Sequence, residues 1–129
     1  MTDLSKAVCF AITTNPEAAK AFYGDILGFK LLSDDAYALA FRMSGSPGTM
    51  LRLSKLKQFT PAAYTVLGWA VADIRESVRS LVAKGVVFER YPWMPPDDDA
   101  VFTFPNGDAV AWFKDPEGNV LSLSQHNSD

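Results

Sequence analysis

Few side chains in this sequence could do covalent or acid–base chemistry, and most of them stand alone. His126 is the only histidine and Cys9 the only cysteine. A single thiol cannot close an internal disulfide, which suits a reducing cytoplasm, and one thiol is not a metal site. His126 lies just past the last strand-like run and reads as a solvated surface residue. Asp97-Asp98-Asp99 is the richest run of oxygen donors. Consecutive loop residues diverge, so the expectation is a solvated acidic patch rather than a chelate. Ser122 and Ser124 lack a nearby base unless His126 folds back onto them. Glu89 reads as an exposed polar position on an alternating strand. Arg52 stays charged and makes a poor base, but could clamp a carboxylate, phosphate or enolate. No nucleophile, base and orienting group fall into a convincing constellation, so no catalytic residue is assigned.

The elements that position these groups occur twice in one order. "AVCFAIT" is short and β-rich, and Asn15-Pro16 follows it, an N-cap and a first-turn proline. Ala19, Phe22, Tyr23 and Ile26 then keep the spacing of one helix face, and Gly28 ends it. "FKLLS", "AYALAFRM" and "TMLRLSKL" follow as strand-like runs. After a linker around Gln58 to Tyr64, "TVLGWAV" reads as a strand, and Asp73 caps a second helix with Glu76 three residues on. Val78, Leu81 and Val82 form its predicted buried face, and Gly85 stops it. "VVFERY", "AVFTF", "DAVAWF" and "NVLSLS" are the strand runs that follow, with a hairpin turn at Asn106-Gly107. The chain thus reads as βαβββ twice, with an extra hairpin in the second copy. Module one spans about residues 5–57 and module two about 64–126.

The chain has 129 residues, 48% of them apolar, enough for one domain with a real core. Net charge is −3, without a basic stripe, which argues against a nucleic-acid partner. No stretch approaches the roughly 20 apolar residues of a membrane span. The start, "MTDLSKAVCFAITTN", lacks a basic segment followed by a sustained apolar run, so no signal peptide is expected. A cytoplasmic protein is the expectation.

Aromatic residues are dense: Trp69, Trp93 and Trp112, with Phe10, Phe41, Tyr91, Phe102 and Phe104. Most must be core. Trp69 and Trp112 lie on strands whose alternation could send them to the helix-packed side. Trp93 differs, because "YPWMPPDDD" is a proline-stiffened loop that could set it as a lid over a cavity.

"NPEAAKAFYGDILGF" (15–29), "VADIRESVRSLVAKG" (71–85) and "FKDPEGNVLSLSQ" (113–125) together resemble the vicinal oxygen chelate superfamily, which holds glyoxalase, bleomycin-resistance proteins and extradiol dioxygenases. The resemblance implies an α+β fold of two βαβββ modules whose mixed sheets curve around a ligand cavity, in a homodimer. In metal-dependent members the ligands come from the first and last strands of each module. Those positions fall here near Val8, Arg52, Val66 and Ser122. Two valines, an arginine and a serine cannot supply the donors a divalent cation needs at about 2.0–2.3 Å. The resemblance therefore implies a protein without metal or other cofactor that binds a small molecule, similar in plan to bleomycin-resistance proteins that sequester an antibiotic. Phe10, Arg52, Trp69, Trp93, Trp112 and Ser122 are its candidate ligand contacts. The alternatives are a glyoxalase- or dioxygenase-type enzyme with non-standard residues, dependent on Arg52, Ser122 or Glu89, and a structural module with a filled cavity.

Overall fold

A computed structural model describes residues 2–45 and 48–127. The chain divides between Pro61 and Ala62 into two compact units. Each contains a four-stranded mixed sheet and one helical segment, so the fold is α+β, consistent with two βαβββ modules.

In the first unit β1 (Val8–Thr13) leads into α1 (Pro16–Ala19). The Asn15 side chain accepts the Ala18 N–H at 3.2 Å, so the expected cap forms. From Lys20 the helix widens, and Lys20–Ile26 is a π-helical stretch closed by the Leu27 N–H on the Phe22 carbonyl at 2.9 Å. Phe22 and Tyr23 are buried, and Tyr23 packs against Phe41 with ring centroids 5.9 Å apart. β2 (Lys30–Asp34), β3 (Ala38–Arg42) and β4 (Met50–Lys55) complete a sheet of order β1-β4-β3-β2, with β1 and β4 parallel. Leu39, Phe41, Leu51 and Leu53 are fully buried on one face of this sheet.

The second unit follows the same plan. β5 (Thr65–Ala70) pairs parallel with β8 (Val120–Gln125) in a sheet of order β5-β8-β7-β6. α2 (Ile74–Ala83) starts at Asp73, whose carboxylate accepts the Glu76 N–H at 3.1 Å. The Gln125 side chain accepts the Ile74 N–H at 2.8 Å, tying the helix start to β8. The buried face of α2 is Ile74 and Val78; Val82, expected inside, is 52% exposed.

The largest departure from the sequence reading lies after α2. "VVFERY" does not form a strand: only Phe88 bridges, to Phe113 of β7 (Ala109–Lys114). "AVFTF" forms only the two-residue β6 (Phe102–Thr103), which also pairs with β7. The two pieces share one sheet edge, and the extra hairpin is absent. In the first unit, β2 runs along this edge with a single irregularity between Leu31 and Ser33. In the second, residues 89–101 leave the edge instead. Pro92, Pro95 and Pro96 lack the N–H groups a ladder needs, so the chain cannot pair through them. The Asn106-Gly107 turn between β6 and β7 forms as expected, with the Phe104 N–H on the Asp108 carbonyl at 2.8 Å.

Candidate functional site

Strand alternation sorts the candidate residues by face. In the first unit Phe10 of β1 pairs with Arg52 of β4, and Arg52 with Ala40 of β3, so the three share the face opposite Leu51 and Leu53. Val8 is on that face too, two residues from Phe10. Phe10 is 62% exposed, large for an aromatic side chain on a strand. Arg52 is half-buried and within electrostatic reach of the Asp35 carboxylate, which is held below the usual carboxylate range chiefly by the Tyr37 and Ala38 N–H groups. The face thus offers one guanidinium beside one exposed ring.

In the second unit the corresponding pair is Gly68 of β5 with Ser122 of β8, and Ser122 also pairs with Trp112 of β7. Gly68 is required by close approach: a Cβ there would lie 2.4 Å from Ser122 Oγ and 3.1 Å from the Ser122 carbonyl oxygen. Trp69 takes the other face and stacks on buried Phe113 with centroids 6.4 Å apart. Trp69 is therefore in the helix-side packing, whereas Trp112 is on the Ser122 face and donates its indole N–H to Thr65 Oγ1 at 3.1 Å.

The proline loop returns over this second face. Trp93 sits edge-on to Trp112 at 5.8 Å and to Phe102 at 5.1 Å, and stacks on Tyr91 at 5.9 Å with an interplanar angle of 4°. Tyr91 also meets Trp112 at 5.7 Å, and Phe102 meets Phe104 at 5.0 Å. Five aromatic rings thus form one connected wall, yet Trp93 remains 59% exposed. A ring packed on several neighbours and still open to solvent has a free face for a planar ligand. A depression of about 710 Å³ lined by Tyr91, Met94, Pro95 and Asp97 opens beside the wall.

Asp98 of the acidic run is exposed, as expected, but Asp97 and Asp99 are not a solvated patch. Asp97 accepts a two-pronged contact from Arg75 of α2, at 2.9 and 3.0 Å. Asp99 accepts one from Arg79, at 2.9 and 3.0 Å, and a further bond from Arg75 at 2.9 Å. Arg90 donates to the carbonyls of Asp97 and Asp98. The Arg75 guanidinium holds the Asp97 carboxyl well below its ordinary value, and Arg79, then Arg75, do the same for Asp99. The Asp97 and Asp99 carboxylates are thus already neutralised by arginines. The spacing gave no sign of this, because the partners are 20 to 24 residues away.

His126 is not an unengaged surface residue either. Its Nε2 lies 3.0 Å from Ser124 Oγ and its Nδ1 lies 3.4 Å from Asp108 Oδ2. Asp108 was not among the residues singled out from the sequence; it follows the Asn106-Gly107 turn, and no periodicity links it to Ser124. Glu89 meets Lys114 at 3.5 Å.

The side chains at the positions where the resemblance places the metal ligands of other members, Val8, Arg52, Val66 and Ser122, do not fit a divalent cation: hydrocarbon, guanidinium and a lone hydroxyl are not its ligands. Among the described residues no three His, Cys, Asp or Glu side chains converge as a metal site requires. No helix among them is long and apolar enough to cross a membrane.

A sequence model described as the Glyoxalase/Bleomycin resistance protein/Dioxygenase superfamily matches residues 7–123. The solved structures most similar in fold include a member of that superfamily from Sphaerobacter thermophilus, with a TM-score of 0.67 and 24% identity over 93% of this chain and 97% of that one. A lactoylglutathione lyase from Agrobacterium tumefaciens has a TM-score of 0.66 and 19% identity over 92% of each chain. A glyoxalase/bleomycin resistance protein/dioxygenase from Nocardioides has a TM-score of 0.67 and 19% identity over 98% of this chain and 87% of that one. At such identities the likeness shows the fold alone. A search of curated proteins finds no significant match.

Proposed function

This chain belongs to the glyoxalase/bleomycin resistance protein/dioxygenase superfamily, and from that premise we propose that it is a metal-free binding protein that sequesters a drug or metabolite in the cytoplasm, as a homodimer. The observation that carries this is the aromatic wall of Trp112, Tyr91, Trp93 and Phe102, which leaves Trp93 open to solvent. Binding needs only shape, stacking and charge complementarity, and these residues supply the first two. Asp97 and Asp99, bound by arginines, offer little free negative charge to a strongly cationic ligand. The ligand class we assign is a flat, conjugated molecule without strong positive charge. On the first unit, Phe10 and Arg52 provide a surface where an aromatic group and an anion could be held.

The test is a thermal-shift and tryptophan-fluorescence screen of planar heteroaromatic compounds. At least one compound should raise the melting temperature and quench fluorescence, and Trp93→Ala should weaken its binding about tenfold, a loss of ~1.4 kcal/mol. Unchanged affinity in Trp93→Ala, or no compound that shifts the protein, overturns the reading. Light scattering of the same sample reads the homodimer.

Metal content gives an independent check. After incubation with zinc, nickel, manganese or ferrous iron and extensive dialysis, the protein is expected to retain less than about a tenth of an equivalent, because among the described residues no three His, Cys, Asp or Glu side chains converge to compete with water for the ion. Near-stoichiometric retention of one metal contradicts the metal-free reading and makes the enzyme alternative the better one.

A further inference from the structure

We propose that Ser124, His126 and Asp108 form an acyl-accepting site, with Ser124 as nucleophile, His126 as base and Asp108 as positioning residue, that takes carboxylic esters carrying an aromatic group. The three groups stand in a single relay: Oγ to Nε2 at 3.0 Å, then Nδ1 to carboxylate at 3.4 Å. Within reach of a carboxylate, Nδ1 keeps its proton, which leaves the Nε2 lone pair facing the hydroxyl. This is the arrangement a serine needs to become a nucleophile.

The relay is built rather than incidental, because the segment that carries His126 is fixed on two sides. Asp108 uses its other oxygen, Oδ1, to accept the Asn127 N–H at 3.0 Å, so one carboxylate holds both the imidazole and the backbone beside it. The Asn127 side chain lies over Gly107, where a Cβ would come within 2.1 Å of its amide nitrogen. Gly107 also has a φ of 92°, which L side chains rarely adopt. The turn that precedes β7 therefore positions the residues that follow β8.

The substrate class follows from the sheet. Ser124 pairs with Val110, and Val110 with Phe102, so the hydroxyl, Phe102 and, two residues along β7, Trp112 share one face. An ester whose aromatic part lies on the Phe102–Trp93 edge-to-face pair would present its carbonyl toward β8. In the reaction Oγ attacks the carbonyl carbon as its proton passes to Nε2. The carbon–oxygen bond to the leaving group breaks, and the departing phenol or alcohol takes that proton. Water then attacks the acyl-serine with His126 again as base, releasing a carboxylic acid and restoring the hydroxyl. Atoms balance with water as the sole co-reactant.

The probes are a fluorophosphonate, with labelling followed by intact mass and peptide mapping, and p-nitrophenyl acetate. Labelling should map to Ser124, and Ser124→Ala should abolish it. His126→Gln should slow it by about 10²-fold or more, the lower range of a lost general base. Ser80→Ala, on the exposed side of α2, should label as the wild type does. Asp108→Asn should slow labelling at least ~10-fold with little change in melting temperature, and Asp108→Glu should restore part of the rate; a purely structural role would instead move the two readouts together. Turnover should be slow with these three side chains acting alone, because preorganised oxyanion donors contribute roughly 10²–10³-fold in hydrolases. Absence of labelling in the wild type overturns the proposal. So does labelling that survives Ser124→Ala, or ester hydrolysis lost in His126→Gln but kept in Ser124→Ala, which is the behaviour of a bare imidazole.

Discussion

Phe113→Ala is expected to destabilise the chain by about 3–5 kcal/mol, whereas Trp112→Ala, one residue earlier on β7, should cost about 1–3 kcal/mol yet weaken ligand binding. The contrast comes from the pleat. Phe113 is fully buried and in ring contact with Phe88 at 5.1 Å and Trp69 at 6.4 Å. Removing it leaves a cavity in a small core, and the neighbours, on a strand and a bridge held by hydrogen bonds, cannot close it. Trp112 is half-buried and loses mainly two edge-to-face pairs, with Tyr91 and Trp93, each worth about 0.5–1.5 kcal/mol. Urea denaturation measures the first quantity and fluorescence titration with a compound from the screen measures the second. Equal stability losses would mean that the two faces of this sheet are packed alike. Unchanged binding in Trp112→Ala would remove that residue from the site.

Which features were legible depended on how far apart the interacting residues lie. The caps at Asn15 and Asp73 and the turn at Asn106-Gly107 are local: the residue that signals the structure also makes its hydrogen bonds. The family plan was legible for the same reason, since its marks are short continuous runs. The face taken by each tryptophan was not. β5 changes register between Thr65 and Leu67, so counting alternate residues from one end does not settle which side Trp69 occupies. "VVFERY" has good strand composition, but it pairs only through the bridge of Phe88 to Phe113 and the Glu89 N–H on the Trp112 carbonyl, because the prolines beyond turn the chain away from β7. The π-helical stretch keeps Phe22 and Tyr23 inside, as an α-helix would, so the burial pattern conceals the wider turn. The clamps of Arg75 and Arg79 on Asp97 and Asp99, and the contact of His126 with Asp108, join residues 18 or more positions apart through the loop and the β7–β8 pairing, and single-sequence periodicity carries no such pairing.

The clamp also makes the most direct prediction about acid. Asp97→Ala is expected to destabilise the chain by about 1.5–3 kcal/mol near neutral pH, the range for losing hydrogen bonds to a charged acceptor. Asp97 accepts the Asp99 and Val101 N–H groups at 3.0 Å as well as the Arg75 fork, and so brackets Ala100. Ala100 is held at a φ of 57°, a left-handed backbone that costs a non-glycine residue about 1–2 kcal/mol and persists only when its surroundings impose it. Without Asp97, that strain is free to relax by releasing the loop and with it Trp93. The pH dependence has a definite sign. The folded-state carboxyl of Asp97 lies below its ordinary value of 3.8, mainly through Arg75, so below that pH the unfolded chain binds the proton more readily than the folded one. Its stabilisation is therefore complete above about pH 5 and is lost as pH falls through the acid range below 4. The stability gap between wild type and Asp97→Ala should be constant from pH 8 to 5 and narrow toward pH 2, read from urea midpoints at each pH. A gap that stays constant to pH 2 would mean that the arginine contact does not favour the ionised carboxylate. Tryptophan fluorescence at pH 7 that is unchanged in Asp97→Ala would mean that Asp97 stabilises the chain without anchoring the aromatic wall.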